Sequence, residues 1–211
     1  MDRPQAGLRQ RIFAWALARF NGAYEKSVAQ HKQRLFSSLA GTVVEIGPGT
    51  GANLRFLTPG KVSWTGVDPN PFMEDYLRKE ATRLGIPIDV RLGTAEHLPF
   101  ADASVDVVIS TLVLCSTANQ EQALKEILRV LKPGGRLMFI EHVAAPRGTR
   151  LRTLQNLMTP FWKQLGDGCH PNRETWVQLE RAGFAKLSYE RMNIPSLLVT
   201  PHIVGEASKP A

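Results

Sequence analysis

Three glycines at alternate positions follow a short apolar run and an acid in the segment VVEIGPGTGANL, residues 43–54. Gly47, Gly49 and Gly51 have no Cβ, so the backbone can turn tightly there and a ligand can approach it closely. Glu45 stands two residues before the first glycine. Its carboxylate would repel a pyrophosphate, whereas it would accept hydrogen bonds from a cationic ammonium. The segment therefore predicts a loop that binds a positively charged ligand.

Further polar residues follow the next two strand-like runs. GVDPN supplies Asp68, Pro69 and Asn70, and GTAEHLPF supplies Thr94, Ala95 and Glu96. The two oxygens of Asp68 can accept both hydroxyls of a ribose, and the second group can meet an adenine. The glycines also satisfy the GxGxxG/A pattern of dinucleotide folds, which leaves a nicotinamide enzyme as an alternative. Against it, none of the three tyrosines has a lysine four positions later.

Strand-like and helix-like runs alternate along the chain. Strand candidates are 42–46, 62–67, 88–92, 105–110 and 136–142, and helix candidates are Pro71–Leu84, Asn119–Leu131 and Asn172–Ala182. This alternation predicts an α/β fold, a parallel sheet covered by helices on both faces. Such a sheet binds ligands at the carboxyl ends of its strands. Two last strand candidates follow at 184–192 and 197–206, with a frayed tail over Ala207–Ala211.

Two basic amphipathic segments are predicted to adjoin the mouth of the site. Residues 1–40 form an N-terminal arm with seven Lys and Arg against two acids, and residues 145–171 form an insertion within a domain spanning 41–211. Both have apolar residues at helical spacing. We expect a lid over the acceptor pocket, although such stripes are more often simple core. The predicted pocket residues are Phe13, Phe20, Tyr24, Cys115, Phe161, Trp162, His170 and His202.

The bulk composition narrows the class of protein. A chain of 211 residues with 43% hydrophobic composition fits a single domain. The apolar run at residues 12–18 is too short to cross a bilayer and is not followed by a cleavage site, so we expect a cytoplasmic protein. Cys115 and Cys169 lack metal-ligand spacing, which predicts reduced thiols and no metal. The net charge of +7 suits anionic lipid, nucleic acid, an acidic substrate or a solvated surface.

The motifs EIGPGTG, GVDPN, GTAEHLPF, SVDVVISTLVL and LKPGGRL occur in this order over roughly residues 40–145. As a set they resemble the class I S-adenosylmethionine-dependent methyltransferases. The resemblance implies a seven-stranded Rossmann-like sheet of order 3-2-1-4-5-7-6 with the seventh strand antiparallel. S-Adenosylmethionine is then the expected cofactor. The residues assigned to it are Glu45, Gly47, Gly49, Gly51, Asn53, Asp68, Pro69, Asn70, Thr94, Ala95, Glu96, Thr111 and Leu112.

A closer resemblance lies in GANLRFL, SVDVVISTLVLCS, EHVAAP, DGCHPNRETWVQLERAGF and PHIVGEA. These segments resemble the methyltransferase-like seven proteins of animals, thiol S-methyltransferases that act on small alkyl and aryl thiols and are bound to membranes of the endoplasmic reticulum or lipid droplets. The resemblance implies methyl transfer to the thiol of a small hydrophobic molecule. A long apolar N-terminal segment like theirs is not seen in this sequence, so we expect a soluble or peripheral enzyme, with a monomer favoured.

The acceptor chemistry follows from the residues after the fourth strand. STLVLCS replaces the Asn/Asp-Pro-Pro-aromatic motif that holds a target nitrogen, so nucleic acid is not an expected substrate. A thiol is already partly thiolate and very nucleophilic, so positioning alone could suffice. Where a base is needed, His142 at the end of the fifth strand is the first candidate, ahead of His202 and His170. A structural hydrogen bond is the alternative role of each histidine.

Two other functions stay open. GTAEHLPFADASVDVV and LKPGGRL also resemble ubiquinone-pathway methyltransferases, which would make the acceptor a carbon or oxygen of a quinone precursor, a lipid or another small molecule. A module that binds membranes or nucleic acid without turnover is the alternative from a different class of protein.

Overall fold

The computed structural model describes residues 7–195 and 198–211. Seven strands form one sheet: β1 (Gly41–Ile46), β2 (Val62–Asp68), β3 (Asp89–Leu92), β4 (Val105–Thr111), β5 (Leu131–His142), β6 (Lys186–Asn193) and β7 (Pro201–Ser208). Their order is β3-β2-β1-β4-β5-β7-β6. The pairs among β1 to β5 are parallel, and β7 is antiparallel to both β5 and β6. The predicted order and the antiparallel seventh strand are confirmed.

Six α-helices surround the sheet in the described ranges: α1 (Leu8–Phe20), α2 (Gly22–Phe36), α3 (Glu74–Leu84), α4 (Gln120–Val130), α5 (Arg150–Leu165) and α6 (Thr175–Arg181). Consecutive side chains of a strand point to opposite faces of a sheet. Accordingly Val44 belongs to a core cluster that includes α4 and α6 residues, whereas Val43 belongs to one that includes α2 and α3 residues. Both faces of the sheet are therefore covered, as the alternation of strand and helix candidates predicted.

The structure shifts several predicted boundaries. Helix α3 begins at Glu74 instead of Pro71, because the side chain of Asn70 accepts a hydrogen bond from Phe72 N and forms a turn first. The predicted helix Asn172–Ala182 contracts to α6. By contrast, Asn119 caps α4 as expected, since its Oδ1 accepts a hydrogen bond from Gln122 N.

Two predictions at strand ends were wrong. Strand β5 begins at Leu131, before the Pro-Gly-Gly turn signal, and its pairing with β4 shifts register there. The tail is not frayed from Ala207, because Ala207 is buried and pairs with Leu137 and Leu187. The last strand begins at Pro201, whereas Leu197, at the start of the predicted one, lies outside the described residues.

Helices α1 and α2 account for the helical pattern of the arm, whose first six residues lie outside the described ranges. Lys32 of α2 is fully buried and pairs with Glu25 at 2.7 Å. Burial lowers the pKa of Lys32, and its charge also acts on Glu45 of β1. The arm thus packs against the end of the central strand. In the ranges described, none of the helices is long and apolar enough to cross a membrane.

Candidate active site

The glycine loop lies at the carboxyl end of β1, and its glycines adopt positive φ angles of 55°, 55° and 86°. Side chains of this protein fill much of the space that a Cβ would need. A Cβ on Gly47 would lie 2.5 Å from a methyl group of Val113, and one on Gly49 would lie 3.2 Å from Leu17 of α1. The glycines therefore allow close packing of the chain on itself, and α1 covers the loop where the sequence placed a ligand.

Glu45 is buried behind this loop and is held by two donors. Its carboxylate accepts hydrogen bonds from Asn53 Nδ2 at 2.8 Å and from Trp64 Nε1 at 3.1 Å. Burial raises the pKa of Glu45 to about 7, against the opposing effect of these donors. Asn53 Nδ2 also donates to Thr111 Oγ1, while the buried Asn53 Oδ1 has no partner in the described parts of the chain. An unpaired acceptor beside a carboxylate suits a cationic amine.

Asp68 ends β2 and receives two backbone donors. Its Oδ2 accepts a hydrogen bond from Gly49 N at 3.0 Å, and its Oδ1 accepts one from Asn70 N at 2.8 Å. Burial raises the pKa of Asp68 to about 6, and the nearby Asp167 raises it further. Because an ionised carboxylate has about four acceptor positions, each oxygen keeps capacity for one hydroxyl donor. This is the arrangement that a ribose diol requires.

Asn70 connects this crevice to two distant segments. Its side-chain amide donates to Gln10 O of α1 at 3.1 Å and to Asp167 Oδ2 at 3.3 Å. The sequence assigned Asn70 to the cofactor without indicating these partners. The amide thus ties the loop after β2 to α1 and to the loop after α5.

The other residues assigned to the cofactor lie at the same edge with different exposures. Pro69 and Thr94 are exposed, Ala95 is buried, and the carboxylate of Glu96 accepts a hydrogen bond from Asn119 N at 3.1 Å. Glu96 therefore pairs with the start of α4. Leu112 has a φ of 59°, which turns the chain sharply after β4.

These features fit S-adenosylmethionine, the cofactor that the motifs imply. Glu45 and the unpaired Asn53 Oδ1 would receive the ammonium of its methionine part. Asp68 would receive the two ribose hydroxyls. When bound, this cofactor supplies a methyl group on a sulfonium sulfur.

A cluster of buried polar side-chain atoms lies where α2 meets the end of β5 and the start of β7. Three of its side-chain atoms, Tyr24 Oη, His142 Nδ1 and His202 Nε2, have no hydrogen-bond partner among the described residues. The ring centroids of Tyr24 and His202 are 5.7 Å apart, and those of His142 and His202 are 6.2 Å apart. Buried polar atoms without partners are rare and mark sites that receive a ligand or water. We call this group of three side chains the acceptor chamber.

His202 of β7 has its tautomer set by a backbone carbonyl. Its Nδ1 lies 3.1 Å from Thr200 O, and since a carbonyl only accepts, Nδ1 carries the proton. The unpaired Nε2 therefore keeps its lone pair. Burial lowers the pKa of His202 to about 4, so the ring is neutral near pH 7. The chamber thus contains a buried hydrogen-bond acceptor.

His142 contacts the two cysteines instead of standing free. Its Nε2 lies 2.9 Å from Cys169 Sγ, and Trp162 Nε1 donates to the same sulfur at 3.1 Å. Cys115 joins them, with all three ligand-type atoms within 4.8 Å of one another. Both cysteines are free and buried, and burial raises the pKa of Cys115 well above its ordinary value. The structure therefore brings together residues that lie far apart in the sequence.

The predicted pocket walls separate into inner and outer residues. Phe13, Trp162 and His170 are half-buried, and His170 N donates to Cys115 O at 3.0 Å. Phe20 and Phe161 are 67% and 65% exposed, so they form no enclosed wall here and their place in the pocket stays a prediction. Their helices carry apolar residues on more than one face, so the spacing alone did not say which face turns inward.

Sequence reasoning missed the residue that positions the turn after β4. Glu141 is fully buried, and its carboxylate accepts hydrogen bonds from Ser110 Oγ at 2.6 Å and from the backbone N–H groups of Val113, Leu114 and Cys115. Burial raises its pKa. A carboxylate in an otherwise apolar strand, directly before a candidate histidine, was the available signal. Glu141 fixes the position of Cys115.

Comparison with known proteins agrees with this geometry. A family model described as a methyltransferase domain matches residues 44–139. The human thiol S-methyltransferase TMT1A is 44% identical, and the rat thiol S-methyltransferase TMT1B is 40% identical; each match covers 93% of this chain and 86% of the relative. A demethylmenaquinone methyltransferase of Tropheryma whipplei is 36% identical over 72% of this chain and 69% of its own.

Solved structures show the same fold at lower identity. The cyclase SpnF superposes with a TM-score of 0.70 at 19% identity, over 89% of this chain and 81% of its own. A SAM-dependent methyltransferase from Thermotoga maritima gives a TM-score of 0.61 at 24% identity, over 93% of this chain and 99% of its own. From the motif order, the sheet and these relatives together, the chain belongs to the class I S-adenosylmethionine-dependent methyltransferases, in the family of the thiol S-methyltransferases TMT1A and TMT1B.

Proposed function

We propose that this protein is an S-methyltransferase that transfers the methyl group of S-adenosylmethionine to the thiol of a small hydrophobic molecule. The identity of 44% to a thiol S-methyltransferase, over nearly the whole chain, carries the proposal. The acceptor chamber adds physical support, because its unpaired polar atoms are buried. A thiol suits such a site, since it is partly ionised at neutral pH and strongly nucleophilic.

In the proposed reaction, His202 Nε2 accepts a hydrogen bond from the thiol, whose proton is transferred as the new carbon–sulfur bond forms. Its lone pair is available because Thr200 O holds the proton on Nδ1. Tyr24 Oη is the donor that would orient the acceptor. His142, the first candidate on sequence grounds, already uses Nε2 toward Cys169 and offers only Nδ1. The rest of the rate enhancement comes from alignment in a site without water.

We also propose a setting for the enzyme. It works as a cytoplasmic monomer on a small-molecule substrate, and α1 and α5 act together as a lid that also rests on a membrane surface. Support comes from an outer face of exposed apolar residues on these two helices: Leu8, Ile12, Trp15, Phe20, Leu154, Leu157, Phe161 and Leu165. Arginines and a lysine lie between them in the sequence, a composition typical of helices in a membrane interface.

The function is tested with purified protein, labelled S-adenosylmethionine and a panel of acceptors. We expect transfer to alkyl and aryl thiols, and none to the matching alcohols and phenols. A demethylated quinone belongs in the panel, because of the 36% identity to a demethylmenaquinone methyltransferase. Transfer to the quinone or to phenols without transfer to any thiol would reject S-methylation in favour of C- or O-methylation.

A further inference from the structure

Cys115, His142 and Cys169 form a buried cluster of two thiols and one imidazole. This cluster has no role in the cofactor site described above. Three chain segments bring it together: the turn after β4, the end of β5 and the loop after α5. The two sulfurs and a ring nitrogen lie within 4.8 Å of one another, and all three side chains are buried. Two thiolates and one imidazole form a ligand set that zinc prefers.

The distances are close to those of a tetrahedral zinc site. Bonds of about 2.3 Å to sulfur and 2.0–2.1 Å to nitrogen place neighbouring ligand atoms about 3.5–3.8 Å apart. His142 Nε2 and Cys169 Sγ are 2.9 Å apart, a hydrogen-bond separation that must open by less than about 1 Å to admit the ion. The sulfur of Cys115 lies within 4.8 Å of each of the other two ligand atoms, and these two distances must shorten by at most about 1 Å.

The surroundings supply the partners that usually hold metal ligands in place. Trp162 Nε1 donates to Cys169 Sγ at 3.1 Å, and N–H donors of this kind stabilise a thiolate. The carboxylate of Glu141 holds the backbone of Cys115. Gly168 precedes Cys169 and has a φ of 89°, and a Cβ at this position would lie 3.1 Å from Ser116 O. Only glycine therefore lets the loop that carries Cys169 approach the turn after β4 this closely.

We propose that Cys115, His142 and Cys169 bind one zinc ion and that its fourth position faces the acceptor chamber. Three protein ligands with an open fourth position are the pattern of catalytic zinc sites, whereas structural sites have four. The chamber directly beside His142 contains the unpaired Tyr24 Oη and His202 Nε2. The open position would therefore be reached by a small molecule that enters there.

This site deepens the proposed function, on which its catalytic role depends. An acceptor thiol that coordinates zinc gives up its proton, which passes to water by way of His202 Nε2, because a metal-bound thiol is deprotonated at neutral pH. The thiolate sulfur then attacks the sulfonium methyl carbon, and the electron pair of the breaking carbon–sulfur bond stays on the donor sulfur. The neutral thioether binds zinc weakly and leaves, so water or the next thiol takes its place. One proton is released for each methyl group transferred.

Metal binding is tested first, without reference to activity. Chelator-treated, reduced protein is titrated with zinc, and its metal content is measured after gel filtration. We expect about one zinc per chain, and affinity that falls by at least about 100-fold in Cys115→Ser and Cys169→Ser, beyond what loss of an outer partner costs. His97→Ala, which changes an exposed histidine elsewhere, serves as the matched control and should bind zinc like the wild type.

Cobalt(II) gives a second readout on the unchanged chain, so the test stands even where a cysteine variant fails to fold. Sulfur-to-cobalt charge-transfer bands and intense tetrahedral d–d bands are expected. Wild-type protein that takes up no zinc at micromolar free metal, or cobalt spectra without thiolate bands, would overturn the site.

The catalytic role is tested by thiol methylation with and without zinc at equal cofactor affinity. Loss of turnover on chelation and recovery with zinc would support it. Full turnover by the metal-free protein would overturn the role of zinc while S-methylation stands. Zinc binding by a protein that methylates no thiol would leave the site intact and reject the proposed function.

Discussion

Replacing Asp68 with alanine should weaken binding of S-adenosylmethionine by about 10- to 150-fold without unfolding the protein. Each hydrogen bond to a charged group contributes about 1.5–3 kcal/mol, and 1.4 kcal/mol corresponds to a factor of ten. Asp68 is buried and already binds Gly49 N and Asn70 N, so the free positions on its two oxygens are directed by the fold. Removal of one ribose hydrogen bond sets the lower limit of the effect.

The stability of the variant follows from the raised pKa of Asp68. Because the folded pKa of about 6 exceeds the ordinary 3.8, the acid stabilises the fold below about pH 4, and this contribution is lost as the pH rises through 6. At pH 7.5 the ionised group therefore lowers the free energy of unfolding by about 3 kcal/mol, because the pKa is raised by roughly two and each pKa unit corresponds to 1.36 kcal/mol. Alanine removes this cost and leaves two backbone N–H groups without acceptors, at about 1–3 kcal/mol each. The net change in the free energy of unfolding therefore lies between a gain of about 1 kcal/mol and a loss of about 3 kcal/mol.

Isothermal titration calorimetry at pH 7.5 measures the affinity, and thermal unfolding of the free protein measures stability. Asp106→Ala is the matched control, since that carboxylate binds Lys132 and Thr42 N at the opposite end of β4. It should lose stability and keep its cofactor affinity. An unchanged dissociation constant in Asp68→Ala, with both proteins folded, would refute the assignment of Asp68 to the ribose.

Three further predictions concern other residues. Gly47→Ala should abolish cofactor binding and cost at least about 1 kcal/mol of unfolding free energy, because its Cβ would lie 2.5 Å from Val113. A variant that binds the cofactor with wild-type affinity in calorimetry would contradict this prediction. Lys32→Met should cost about 1.5–3 kcal/mol in urea unfolding because the half-buried Glu25 loses its charged partner and keeps only the hydrogen bond from Asn21, whereas Lys32→Met with Glu25→Gln should recover most of it. His202→Phe should lower kcat for thiols about 100-fold at unchanged cofactor affinity; an unaltered kcat would exclude it as proton acceptor.

The sheet could be predicted from sequence because its signals are local. Apolar strands end at Ile46 and Asp68, where glycine or proline starts a turn, and Asn119 marks the start of α4. Such patterns specify which elements form, and the motif resemblance adds their order. The extended β5 was missed because Gly134 and Gly135 are normally turn residues, and only pairing with the neighbouring strands makes this segment part of the sheet.

The site was only partly predictable, for a physical reason. Residues that follow parallel strands must meet at one edge, so the positions of Glu45 and Asp68 followed from the strand pattern. The meeting of Cys115 with Cys169 depends on how the loop after α5 folds back, which no local spacing encodes. For the same reason the exposure of Phe161 was not foreseen: periodicity identifies a helix, while its neighbours decide which face is covered.

Asn70 gives the enzyme a mechanical constraint. One amide group holds α1 through Gln10 and the cysteine-bearing loop through Asp167. Displacement of α1 would break the first of these hydrogen bonds, and displacement of Asn70 would break both. A movement of the loop after β2 is therefore transmitted to α1 and to the cysteine-bearing loop together.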